Sequence, residues 1–143
     1  MRIMSPKEVD AFLSQGTRTG KLATVCSDGR PHVTPVWLVI DPATGDPVFN
    51  TGADSVKGEN VQRDRREAFL VDEEVSPYGC VQTEGIVTFS TGLDETLPWS
   101  TATGGRYMGA DNDEQFGNRN AVSGDLRLRI RRVKTVAQEE IAS

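Results

Sequence analysis

Histidine occurs once in this chain, at His32, and cysteine twice, at Cys26 and Cys80, in 143 residues. A lone histidine excludes a multi-histidine metal site, and no serine–histidine–aspartate arrangement surrounds it. The two cysteines stand far apart and outside any C-x-x-C spacing, so they read as plain thiols rather than a zinc or redox pair. Positive charge is also scarce. The formal net charge is −5, and binding to a phosphate backbone needs a concentrated basic footprint, so nucleic acid is excluded as the main partner. No apolar run approaches the ~20 residues of a membrane helix. The opening MRIMSPKEVD turns charged at once and has no apolar signal-peptide core. The expectation is a cytoplasmic protein with no membrane partner.

What is present is ordinary in amount. Hydrophobic residues make up 36% and charged residues 26%, which places the chain among globular rather than disordered sequences. The length fits one domain, residues 1–143, burying about two-thirds of the surface its unfolded chain exposes.

Ser5-Pro6-Lys7-Glu8 marks a helix start: Ser5 caps, Pro6 suits the first helical position and Glu8 closes a capping box. Val9, Phe12 and Leu13 then share one face and Gly16 stops the element, giving a helix over 6–15. Residues 20–27 read as a strand, and Asp28-Gly29 turns it into an antiparallel partner over 30–40. Pro31 and Pro35 put that partner at an edge or a bulge. Further strands fall at 47–51, 67–72, 80–90 (kinked at Gly85) and 125–134. In the last, Leu126, Leu128 and Ile130 alternate with Arg127, Arg129 and Arg131, a half-buried strand with a wet face. Ser55 caps a short helix over 55–64, and Asp111 with Glu114 opens another near residue 111. Residues 91–105, rich in Thr, Gly and Ser and holding Pro98 and Trp99, read as a loop longer than the usual ~12 residues. Six strands with hairpin links and short helices give a mainly β fold, an antiparallel sheet curled into a small barrel.

The chemistry gathers in residues 30–60. A strand carrying His32, Thr34 and Trp37 and one ending in Asn50-Thr51 lead to a helix opening with Ser55 and Lys57. Free helix N–H groups, hydroxyls and an ammonium at one corner suit an anion such as a phosphate monoester. Lys57 can equally be a solvated surface lysine, since Ser-x-Lys is a weak motif. Asn60 and Arg63 extend the same face. His32 stands alone and reads as structural or as a ligand contact. Arg63, Arg65 and Arg66 read as a solvated turn. Nothing supplies a nucleophile, a general base or a metal cluster, so catalysis would rest on a bound cofactor.

The runs GKLATVCSDGRPHVTPVWLVID and VFNTGADSVKGENVQRDRREAFLVDEE, with the later RYMGADNDEQFGNRNAVSGDLRLRI, resemble the pyridoxamine 5′-phosphate oxidase-like, flavin-binding split-barrel superfamily. Within it they resemble the deazaflavin-dependent branch that uses coenzyme F420. The resemblance spans residues 13–133 and rests on order and spacing rather than on one motif. It implies an antiparallel six-stranded split β-barrel with short flanking helices, and a homodimer with cofactor sites at the subunit interface. The cofactor phosphate would lie by Thr51, Ser55 and Lys57, with Asn60 near. The ring would rest on Pro35, Val36 and Trp37, with Tyr78 close by. The partner chain would contribute from around Arg106, Tyr107 and Met108. The acidic Asp54 ahead of the lysine departs from the branch's usual basic residue and opposes an anion.

Three readings follow. The first is an F420-dependent oxidoreductase passing a hydride to an unsaturated or quinone-like small molecule. The second keeps the fold and takes FMN. The third is a cofactor-binding protein without turnover.

Overall fold

The computed structural model describes residues 1–120 and 124–142. The chain is mainly β. Strands β1 (Arg2–Ile3), β2 (Gly20–Val25), β3 (Pro31–Val36), β4 (Val39–Ile40), β5 (Pro47–Gly52), β6 (Arg66–Glu73), β7 (Gly79–Thr91) and β8 (Asp125–Glu139) form one sheet. Helices α1 (Pro6–Ser14), α2 (Val56–Arg63), α3 (Leu93–Met108) and α4 (Asp113–Asn120) flank it, with a 3₁₀ turn at Ala110–Asn112. Neighbouring strands run β3-β2-β6-β7-β8-β5-β4, β1 joins β8, and every pairing is antiparallel. The six longer strands are those expected from the sequence; β1 and β4 are two-residue additions.

The expected strand over 30–40 is broken. Residues 31–36 form one end of the strand order and residues 39–40 the other, and Trp37 and Leu38 carry the chain across between them. The sheet is thus curled so far that its two edges are consecutive in sequence, and Leu38 drops into the core at 0% exposure. Both prolines of β3 lie on that edge strand, where a missing ladder donor costs least.

Strands β7 and β8 form the spine, in register from Gly79↔Glu139 to Thr91↔Leu126 with one shift between Glu84 and Gly85. A Cβ at Gly85 would strike the Arg131 carbonyl, so the kink there needs glycine. Inside lie Leu22, Phe49, Phe69, Val71, Val81, Val87, Leu126, Leu128 and Ile130, closed at one end by Leu13 of α1. Each large apolar side chain buried there stabilises the fold by about 1.5–3 kcal/mol. The α1 capping box is complete: Glu8 N–H donates to Ser5 Oγ at 3.2 Å, and Ser5 N–H to the Glu8 carboxylate at 3.1 Å.

Two expectations are corrected. Residues 91–105 are not a loop, because α3 occupies most of them and runs 16 residues despite Pro98. Its composition is poor in helix formers, but Thr96, Ser100, Thr103 and Gly104 fall at helical spacing and are buried. Packing against α4 overrides propensity here. Gly104 and Gly117 let the two helices touch; a Cβ on Gly104 would sit 2.9 Å from Phe116, and one on Gly117 would collide with Thr101. Of the arginines expected on a wet face of β8, Arg131 is exposed as expected, whereas Arg127 and Arg129 are half-buried and partnered. Arg127 donates to Ser90 Oγ at 2.7 Å, Arg129 pairs with Asp41 at 2.8 Å and Asp46 at 3.3 Å, and Arg132 reaches Asp10 at 3.2 Å. They fasten the spine to the β4–β5 turn and to α1.

Candidate functional site

Where β3 and β5 end beside the start of α2, a cavity of about 390 Å³ opens. Pro35, Val36 and Trp37 line one side, Asn50, Thr51 and Gly52 the floor, and Lys57 the corner; Ser100 and Thr103 of α3 face them, with Asp125 of β8. The corner is built by Ser55. Its Oγ donates to the Gly52 carbonyl at 2.7 Å and accepts the Gly58 N–H at 3.1 Å. With that proton committed, the 3.0 Å contact between the Ser55 and Thr51 hydroxyls has Thr51 donating. Gly58 is required, because a Cβ there would strike the Gly52 carbonyl.

Lys57 is half-buried, and among the described residues its ammonium has neither a hydrogen bond nor an ion pair. Burial pushes its pKa below the ordinary lysine value. An anion beside it would oppose that shift and restore the charged form. The α2 N-terminus adds its partial positive charge at the same place. Asp54, one residue before the cap, is exposed.

Across the cavity, Trp37 is 37% exposed and backed by Tyr107 of α3, with ring centroids 4.9 Å apart and planes within 4°. Asn50 donates through Nδ2 to the Thr96 carbonyl at 2.8 Å; its Oδ1 is buried without a partner among the described residues, as is Thr96 Oγ1. An ammonium without an ion pair among the described residues, an exposed indole and the Asn50 and Thr51 side chains on one cavity suit a flat ring carrying a phosphate, opposed by the Asp125 carboxylate in the same lining.

The structure brings Pro35, Val36, Trp37, Thr51 and Lys57 onto one cavity, and Ser55 shapes it from behind. Asn60 and Tyr78 lie elsewhere within the chain. Asn60 is buried and ties α2 to β2, donating to Thr24 Oγ1 at 3.0 Å and Cys26 Sγ at 3.6 Å while accepting from Arg63 at 2.9 Å. Tyr78, exposed and at φ 67°, lines a different hollow with Phe12, Arg18 and Glu73. His32 is half-buried with an unpartnered Nδ1 and does not line the cavity. Ser100, Thr103 and Asp125 escaped sequence reasoning; the small polar residues at helical spacing from Thr96 were the available signal. Both cysteines are free and half-buried. No three ligating side chains converge on a metal position among the described residues, and no helix there is long and apolar enough to cross a membrane.

A separate group is electrostatically unusual. Glu67 on β6 is 6% exposed with both carboxylate oxygens unpartnered among the described residues. Burial, with a smaller push from Glu84, raises its pKa from 4.5 to about 8.

A sequence model for pyridoxamine 5′-phosphate oxidase matches residues 5–137. The chain belongs to that family. The fold agrees, as an antiparallel split barrel, and the family takes its name from an oxidoreductase. Among solved structures, this family member resembles the conserved hypothetical protein Rv2991 from Mycobacterium tuberculosis, with 25% identity and a TM-score of 0.83 over 96% of this chain and 86% of the other. An F420 reductase superposes at 22% identity and a TM-score of 0.67, over 86% and 92% of the two chains. An FAD-binding protein from Mesorhizobium loti does so at 20% identity and 0.66, over 96% and 97%. No curated protein sequence matches.

Proposed function

We propose that this protein is an F420-dependent oxidoreductase acting on an unsaturated or quinone-like small molecule. The observation that carries the reading is the unpaired, half-buried Lys57 ammonium at a helix N-terminus, sharing one cavity with the indole of Trp37. The F420 reductase among the structural relatives supports it. In this reading Lys57, the first-turn N–H groups of α2 and the Thr51 region hold the cofactor phosphate. Pro35, Val36 and Trp37 wall its ring, and Ser100 and Thr103 of α3 limit the depth of the cavity. The bound deazaflavin supplies the hydride; the protein binds, orients and keeps water away.

FMN is the second reading, favoured by the FAD-binding relative and by the same phosphate-and-ring arrangement. The proposal includes a homodimer with the cofactor sites at its interface, the arrangement that the resemblance implies.

Fluorescence titration of purified protein with F420 and with FMN tests the reading. Tight uptake of F420 and weak uptake of FMN is expected, and a yellow protein that ignores F420 reverses the order. Lys57→Ala is expected to cost about 1.5–3 kcal/mol of cofactor affinity, the scale of a charge-assisted hydrogen bond. An unchanged dissociation constant removes the phosphate assignment.

A further inference from the structure

The cavity wall that Trp37 provides is itself held by an arrangement on α3. Trp37 lies in the two-residue crossing between the sheet's edges, so no ladder hydrogen bonds fix it there. Its indole packs flat on Tyr107 at 4.9 Å. The Tyr107 hydroxyl donates to the Arg18 carbonyl at 2.8 Å and accepts the Leu38 N–H at 3.3 Å, so it grips the backbone immediately after the tryptophan. The next layer is Arg106, whose guanidinium sits 5.0 Å from the Tyr107 ring. Arg106 donates to the carbonyls of Leu13 at 2.8 Å, Gly16 at 3.0 Å and Leu38 at 2.8 Å. Burial raises the Tyr107 pKa further from neutrality, so the phenol is a donor throughout the working pH range. Guanidinium, phenol and indole thus form a stack fastened to three segments of the chain, with the last layer facing the cavity.

Resting on the reading of the cavity as a ring-and-phosphate site, we propose that Tyr107 is a positioning residue for the ring end of the ligand. By stacking on Trp37 and tethering Leu38, it sets the plane and rigidity of the indole against which a flat ring lies. Arg106 fixes Tyr107 in turn. Neither group needs to touch the ligand. Among the described residues no hydrogen bond or ring contact joins the phosphate end, built on Ser55 and Lys57, to this stack, so the two ends can be perturbed separately. A purely structural role predicts instead that both ends of the site fail together.

The experiment uses full-length protein carrying Trp99→Phe, which leaves Trp37 as the sole tryptophan, with Tyr107→Leu or Tyr107→Phe added. In Tyr107→Leu the near-ultraviolet dichroism of the indole is expected to collapse and its emission to shift red. FMN and F420 are expected to bind at least tenfold more weakly, whereas binding of inorganic phosphate alone changes less than twofold. Tyr107→Phe keeps the stack but loses both hydrogen bonds; it is expected to retain the dichroism while acrylamide quenches Trp37 about twofold faster. That variant decides the matter if the leucine variant fails to fold. An unchanged indole signal in folded Tyr107→Leu overturns the inference, as does unaltered quenching in Tyr107→Phe or an equal loss of phosphate and ring binding. If the parent protein takes up neither cofactor, the cofactor reading falls, while the indole signals still judge the role of Tyr107.

Discussion

Replacing Glu67 by glutamine should make the fold's stability far less sensitive to alkali. The carboxyl is 6% exposed and meets no donor among the described residues, so its charged form is penalised by burial, and Glu84 adds like-charge repulsion. Its folded-state pKa of about 8 stands above the ordinary 4.5. The folded chain therefore keeps a proton that the unfolded chain releases above about pH 4.5. This group's contribution is fully present below that point and is lost as pH rises through about 8. A rise of about 3.5 pH units, at about 1.36 kcal/mol each, amounts to about 5 kcal/mol over the whole range. Between pH 5.5 and 9 the loss is about 3 kcal/mol. Glutamine has the same shape and cannot ionise. Urea denaturation of both proteins at pH 5.5, 7 and 9 measures the difference, with the other titrating groups, such as Cys80 and Lys57, cancelling between them. With glutamine taken as equivalent to the protonated acid, the glutamine protein should be the more stable by about 1 kcal/mol at pH 5.5 and by about 3 kcal/mol more than that at pH 9. Parallel pH profiles would refute the argument and mean that Glu67 finds a partner or water when ionised.

Truncating the wall by Trp37→Ala should weaken cofactor binding at least tenfold and also lower stability by at least the worth of the stacked pair with Tyr107, about 0.5–1.5 kcal/mol; calorimetry and titration read the two separately. Gly117→Ala puts a methyl into Thr101 and should cost about 1–3 kcal/mol by overpacking, seen as an earlier urea midpoint. Asn60→Ala leaves the Thr24 hydroxyl and the Arg63 guanidinium short of a partner, a loss of about 1–3 kcal/mol in the same assay. Ser5→Ala removes the first cap and should cost about 1 kcal/mol.

Much of this architecture is legible in the sequence where a local rule and the tertiary fold agree. Alternation of Leu126, Leu128 and Ile130, the Asp28-Gly29 turn and the Ser5 and Ser55 caps each mark their element, and each is present. The place of Lys57 at the start of a helix beside the end of β5 was readable because the Ser55 cap marks that start. What stayed hidden depends on distant partners. Helix α3 is written in residues that favour loops and becomes a helix only against α4. Arg127 and Arg129 alternate as solvent-facing residues do, and Arg131 does face solvent, yet acidic groups remote in sequence claim the first two. Asn60 belongs by spacing to the polar face of α2, but the hairpin behind it turns its amide inward. The break after Val36 is marked only by Pro35, which signals an edge or a bulge but not a crossing, because the chain beyond it is as apolar as a strand and only curling of the sheet separates its halves.

That break gives the fold a seam. Residues 37 and 38 are the covalent stitch between the first and last strands of the ladder, and Trp37 of that stitch walls the cavity proposed for the ligand. Any parting of the two edges must drag the indole off its backing ring and release the Leu38 amide from the Tyr107 oxygen. A ligand pressed against that wall is therefore also a clasp on the seam. Occupancy and closure become one equilibrium, and hydrogen exchange at the Leu38 amide should slow as the site fills.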